Sequence, residues 1–196
     1  VLVIDNNSTD ATFNIANDLG VRVIKEGNQG YGCAMKRGIE EARGDIIILT
    51  EADGSFWAQD VGKFLVYLKE CDMVIGTRTT RQMNEQGSNM NFETRWANAL
   101  LAKILEMLWW RDDPTVTPRF TDVGCTYRAI WKDSAKDIMN LLTVAGPEFS
   151  VQMMLAMLIA HQKIIEIPVS YHKRIGGESK HSINFFAKAK TAFKML

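Results

Sequence analysis

The stretch Ile46-Ile47-Ile48-Leu49-Thr50-Glu51-Ala52-Asp53-Gly54-Ser55 decides the fold. Its first four residues are apolar, continuous and rich in β-branching, which reads as a short strand covered on both faces. The strand runs directly into a polar turn carrying two carboxylates and a glycine. In open α/β sheets, ligands bind beyond the carboxyl ends of the strands. The turn is therefore the first place to look for chemistry.

Working outward, Val1–Ile4, Val21–Ile24 and Met73–Ile75 repeat the strand pattern. Helical patterns lie between them: Thr9–Leu19 behind the capping candidate Ser8, Gly32–Ala42 behind a glycine-rich turn, and Gln59–Lys69. Strand alternating with helix predicts an α/β fold, a mostly parallel Rossmann-like sheet flanked by helices. Beyond residue 80 the rhythm changes. Arg81–Asn91 reads as a loop, Arg95–Trp110 as a long helix and Asp112–Arg119 as a second loop. Tyr127–Trp131 then reads as a strand, Lys132–Leu142 and Glu148–His161 as helices, Ile164–Tyr171 as a strand and Lys173–His181 as a basic loop.

The 196 residues are enough for one domain with a real core, and 46% apolar with 23% charged residues marks a globular chain. A formal net charge of +0 does not point to nucleic acid. Cys33, Cys71 and Cys125 are far apart and form no C-x-x-C pair, which fits reduced thiols in a cytoplasmic setting. No apolar run reaches the ~18 residues a membrane span needs. The chain opens inside a strand-like run and stops inside a helical pattern, so it reads as a single domain cut at both ends.

Three strand ends converge on one rim. They carry Asp5-Asn6-Asn7-Ser8-Thr9-Asp10, then Thr50–Ser55, then Gly76-Thr77-Arg78. Carboxylates beside a cation suit a Mg²⁺–diphosphate ligand: the ion takes one or two carboxylates plus phosphate oxygens, and arginine takes remaining phosphate charge. The glycines of Gly27-Asn28-Gln29-Gly30-Tyr31-Gly32 depart from G-x-G-x-x-G and follow the second strand, which argues against a nicotinamide dehydrogenase. Glycines opening a helix still let a backbone approach a nucleotide. His161, His172 and His181 lack metal-ligand spacing, and Met153-Met154-Leu155-Ala156-Met157-Leu158 reads as core.

The ordered set of motifs resembles family 2 glycosyltransferases. Val3–Thr12 is similar to that family's V-D-D-G-S-T-D-G-T segment. Asn28–Ala34 with Gly38 and Ala42-Arg43-Gly44-Asp45 is similar to its N-x-G-x-G-x-A…G…A-x-G-D stretch, and Glu51-Ala52-Asp53 stands where its D-x-D metal motif stands. Asp122–Arg128, Glu166–Tyr171 and Arg174–Lys180 resemble its later elements, the last resembling the dolichyl-phosphate mannosyltransferase and polyprenyl-phosphate glycosyltransferase branch.

The resemblance implies a GT-A fold, a GDP- or UDP-linked sugar donor, and Mg²⁺ or Mn²⁺ held by Asp53 and Glu51. It implies donor contacts from Asp5, Asn6, Asn28, Gly30, Gly32, Ala52, Arg78, Arg174, Ser179 and Lys180. Asp122 and Arg128 are expected at the reacting centre. The implied chemistry is inverting transfer to a lipid phosphate on the cytoplasmic face of a membrane. A phosphate acceptor is already ionised at neutral pH; a hydroxyl acceptor needs a base, for which Glu148 and Asp122 are the candidates.

This chain departs from the pattern where Glu51 replaces the first Asp and Asn6-Asn7 replace Asp-Gly. The family's first strand, with its P-x-Y-N-E-like loop, is expected ahead of Val1, which leaves Val1–Ile4 beside an unfilled place in the sheet. Two rival readings are a non-catalytic glycosyltransferase-like binding module and a haloacid-dehalogenase-type phosphatase. The second needs an Asp nucleophile where Glu51 stands. For the membrane, Ala99–Trp110 with Trp109-Trp110-Arg111, and Phe185–Leu196 with its lysines, are the expected contacts.

Overall fold

A computed structural model describes residues 1–86, 88, 92–109 and 119–175. The basic-loop residues Ser179 and Lys180, the segment Phe185–Leu196, Trp110-Arg111 and nearly all of the Asp112–Arg119 loop lie outside the described residues. Among the described residues six strands are present: β1 (Leu2–Asp5), β2 (Arg22–Lys25), β3 (Ile46–Leu49), β4 (Met73–Thr77), β5 (Arg128–Trp131) and β6 (Ile164–Pro168). Each falls on a segment that the sequence reads as strand, although β2, β5 and β6 carry charged residues. The helices are α1 (Thr12–Asp18), α2 (Tyr31–Glu41), α3 (Val61–Tyr67), α4 (Phe92–Leu108), α5 (Lys132–Ile138) and α6 (Phe149–Ile159).

The strands form two sheets. β1 and β2 pair in parallel, and the second sheet has the order β3-β5-β4-β6. β4 and β6 run parallel, while β5 runs against both β3 and β4. The α/β class and the flanking helices match expectation, with β5 as the reversed strand. Residues of β1 (Val3, Ile4) and of β3 (Ile47, Leu49) line one cavity of about 690 Å³. It extends to Thr50 and Ala52 at the carboxyl end of β3. The Val1–Ile4 run thus pairs with β2 and borders open space towards β3.

The core is built on the four-stranded sheet. Met73, Val74, Ile75, Ala129 and Ile130 are fully buried, and Phe64, Ile138 and Met153 pack over them from α3, α5 and α6. The methionine run of α6 is core, as its composition implies. Two local expectations change. Ser8 does not cap α1; instead, Asp10 accepts the Thr12 backbone N–H at 3.0 Å, because α1 begins later than the apolar pattern does. Trp109 packs partly buried against the core. The large apolar residues that α4 exposes are Phe92, Trp96, Leu100, Met107 and Leu108.

Candidate functional site

The carboxyl end of β3 carries two acids, Glu51 and Asp53. Gly54 adopts φ +79°, a left-handed conformation that suits glycine, and the turn lets Asp53 Oδ1 accept the Ser55 N–H at 2.9 Å. Segment 171–175 lies against this turn. His172 N–H donates to Ser55 O at 2.9 Å and Ile175 N–H donates to Asp53 O at 3.0 Å. Between those bonds, Arg174 reaches both acids: Nη2 is 3.3 Å from Glu51 Oε2, and Nε is 3.0 Å from Asp53 Oδ2. Burial and the neighbouring Asp53 raise the pKa of Glu51, and Arg174 partly offsets this. Glu51, Asp53 and Arg174 therefore converge; the arginine that strand order placed beside these acids was Arg78, which pairs with Asp122 instead.

At the ends of β1 and β2 the side chains serve the loops. Asn6 Nδ2 donates to Asn28 O at 2.7 Å, and Asn6 Oδ1 accepts Gly30 N–H at 2.7 Å. Asn7 donates to Gly27 O at 2.7 Å. Both asparagines thus tie the β2–α2 loop to the end of β1. Asp5 is buried and accepts the Ser8 N–H. Gly30 and Gly32 make room for the chain itself. A Cβ at either would overlap the carbonyl oxygens of Ala145 and Val144, and Gly32 N–H donates to Ala145 O at 2.7 Å. The close approach expected for a nucleotide is made there by residues 144–145. Asn28 and Ala52 are solvent-exposed on the rim.

Beyond β4, the partly exposed Arg78 and the buried Asp122 form a bidentate pair at 2.7 and 2.9 Å. The Arg78 and Gly124 backbone N–H groups and Asn98 Nδ2 also donate to this carboxylate. With five donors its lone pairs are filled, so Asp122 is placed to hold Arg78, not to accept a substrate proton. Beneath it, Glu166 accepts from the Thr121 N–H and hydroxyl and from the Asp122 N–H, and burial pushes its pKa up to about 7. Arg128 is a correction to the sequence reading. It is 2% exposed and donates to the carbonyls of Cys125, Val123 and Ser150, which leaves no access for a phosphate. A motif arginine can serve the backbone as well as a ligand, and sequence does not distinguish the two.

Glu148 stands at the start of α6, its carboxylate folded towards Gly146, with Oε2 buried and without a hydrogen-bond partner among the described residues. Sequence reasoning passed over Tyr31, whose ring packs edge-on against Phe149 and whose raised pKa reflects burial first, with the Glu51 charge adding to it. It also passed over Ser55, buried with its hydroxyl unpartnered, and over His172, stacked on Trp57 at 4.4 Å. Ser55 was visible as the polar residue two beyond Asp53. No local pattern marked His172.

The donor set at the β3 end fits a hard divalent cation. Glu51 and Asp53 supply carboxylate oxygens, and the buried Asp53 Oδ2 makes no aligned hydrogen bond. No cluster of three or more His, Cys, Asp or Glu able to hold a metal occurs among the described residues. A cation here would complete its shell with phosphate oxygens and water, as Mg²⁺ commonly does. The three cysteines are free thiols. Among the described residues, no helix is long and apolar enough to cross a membrane.

Residues 1–137 match glycosyl transferase family 2. A glycosyltransferase of Mycobacterium tuberculosis is 29% identical over 182 residues, covering 92% of this chain and 77% of that protein. The undecaprenyl-phosphate mannosyltransferase of Micrococcus luteus is 28% identical over 198 residues, covering 93% of this chain and 75% of that one. The solved glucosyl-3-phosphoglycerate synthase of M. tuberculosis, in complex with Mn²⁺, UDP-glucose and phosphoglyceric acid, superposes with a TM-score of 0.65 at 14% identity. That similarity covers 99% of this chain and 65% of the synthase, and it establishes the shared fold.

Proposed function

The chain belongs to glycosyl transferase family 2, and on that premise we propose that it is an inverting, metal-dependent transferase that moves a sugar from a nucleoside-diphosphate donor to a polyprenyl phosphate. The observation that carries this reading is the grouping of Glu51, Asp53 and Arg174 at the end of β3. Two carboxylates and one guanidinium match the needs of a cation-bound diphosphate: acids for the ion, a planar fork for phosphate oxygens. A bound divalent cation supplies electrostatic stabilisation of the leaving diphosphate. Arg174 adds a second positive group on the same charge.

Asp5, Asn6 and Asn28 line the rim at the ends of β1 and β2, where a nucleoside would lie. Their role there is to hold the loops that shape its seat, with the exposed Asn28 side chain available for direct contact. Arg78, held by Asp122, provides fixed positive charge beyond β4. Ser179 and Lys180 extend the basic segment begun by Arg174, and their donor role remains a proposal from the motif. An acceptor phosphate is ionised at neutral pH and needs no base. For a hydroxyl acceptor, Glu148 with its unpartnered oxygen is the base this chain offers.

The lipid acceptor is supported by the Micrococcus luteus relative and by α4. Phe92, Trp96, Leu100 and Met107 share one exposed face of that helix, with Lys103 among them. An apolar helix face carrying tryptophan and lysine suits a headgroup boundary. This support moves the membrane contact from Trp109 to the outer face of α4.

The test is a thermal-shift screen against GDP- and UDP-sugars with Mn²⁺. One donor is expected to stabilise the protein by about 2.7 kcal/mol at a hundredfold excess over its Kd. No shift with any sugar nucleotide, with or without the ion, would count against the donor assignment.

A further inference from the structure

The position of Arg174 bears on how the ion enters. Two backbone bonds fix the segment that carries it, His172 N–H to Ser55 O and Ile175 N–H to Asp53 O, and Phe56 and Tyr171 bridge in antiparallel fashion. Gly54 has no side chain, and the Ile175 side chain lies against the space a Cβ would take. The guanidinium is thereby delivered onto the two acids that would ligate a cation. It contacts each acid once, at 3.3 and 3.0 Å, and its Nε makes no aligned hydrogen bond to Asp53. The guanidinium thus makes one long hydrogen bond, to Glu51, and a contact of charge alone with Asp53, and neither is the paired fork-to-carboxylate geometry that binds arginine most strongly.

From this geometry we infer that Arg174 is a placeholder cation, occupying the Glu51–Asp53 pair until a divalent ion displaces it. Two acids this close repel each other, and a positive group between them relieves the repulsion. A metal ion and Arg174 compete for the same oxygens, so each must weaken the other. A nucleoside diphosphate reverses the relation. Its phosphate oxygens offer Arg174 a new partner, which frees the carboxylates for the ion. Ion and nucleotide thus bind with positive coupling, and by linkage the coupling is reciprocal. The exchange makes metal-only occupancy unfavourable and favours the ion arriving with its nucleotide. This inference rests on the metal-dependent reading above.

The experiment is Mn²⁺ titration of the full chain, followed by electron paramagnetic resonance of the free ion, for wild type, Arg174→Gln and Arg174→Lys. Without nucleotide, Arg174→Gln is expected to bind Mn²⁺ about two- to fivefold tighter than wild type, the scale of one modest charge contact removed. Arg174→Lys, which keeps the charge, should stay near wild type. With UDP present, wild-type affinity for Mn²⁺ should rise by more than that of Arg174→Gln. Equal Mn²⁺ affinity in wild type and Arg174→Gln, both folded by circular dichroism, overturns the placeholder role and leaves the metal site standing. Absence of Mn²⁺ binding in all three proteins, with and without UDP, overturns the metal reading itself.

Discussion

Strand β4 is buried at every position, whereas β1 is buried only at Asp5, although both sequences read as continuous apolar runs. The difference is one of neighbours. β4 has a partner on each side, β5 and β6, and α3 packs against it. β1 has β2 on one side and borders the cavity shared with β3 on the other. An apolar strand sequence records what the residues need and does not say what covers them. The consequence is a candidate site divided between the two sheets. The acids and Arg174 stand at the β3 end, anchored to the tightly packed sheet. Asp5 and Asn6 stand on the looser pair, where asparagine bonds to loop carbonyls do the holding.

Matched substitutions put the contrast to a test. Ile75→Ala removes a fully buried side chain and should cost about 2–5 kcal/mol. Ile4→Ala lies on the half-buried strand and should cost roughly half as much, since less area leaves water there on folding. Urea denaturation gives both values. Equal losses would mean that β1 is held as tightly as β4.

A smaller effect should appear with pH, and it belongs to the packed sheet alone. Glu166 on β6 has its pKa raised from 4.5 to about 7 by burial, with Asp122 adding to the shift. Between those values the unfolded chain ionises this group while the folded chain keeps its proton. Unfolding then releases a proton, so the contribution from Glu166 is fully present below about 4.5. It falls as pH rises towards 7 and is flat above, an overall change of roughly 3 kcal/mol. Glu166→Gln places an amide against N–H donors and lowers stability at all pH values, so the diagnostic is the slope. The variant should lose this component of the pH dependence between pH 5 and 7. An unchanged slope would contradict a protonated Glu166 beneath Asp122.

The sequence was most legible where burial is written in composition. All six strands seen among the described residues fall where the sequence reads as strand, and the two acids of the β3 turn stand together at its carboxyl end. It was least legible where a residue type serves two ends. Arg128 and Arg78 look alike in sequence. One binds backbone carbonyls in the core, and the other is pinned by Asp122. Gly30 and Gly32 read as space for a ligand, yet they make space for residues 144–145, because a contact over a hundred residues away leaves no local pattern. The reversal of β5 was also hidden, since periodicity carries no direction. Trp96 lies on α4 and Trp109 directly follows it, and only packing shows which is covered.

The central claim, sugar transfer at a cation site on the β3 turn, is tested most directly by Asp53→Asn. The measurement is the rate of labelled sugar transfer from a sugar nucleotide to undecaprenyl phosphate in detergent, with Mn²⁺ and with excess chelator. The amide keeps the size of the side chain and removes its charge. The account predicts a rate lower by roughly 10²–10³-fold in Asp53→Asn, the scale of losing one preorganised charge-stabilising group, and loss of transfer in wild type when the ion is chelated. Full transfer by Asp53→Asn, or by wild type in chelator, would contradict it.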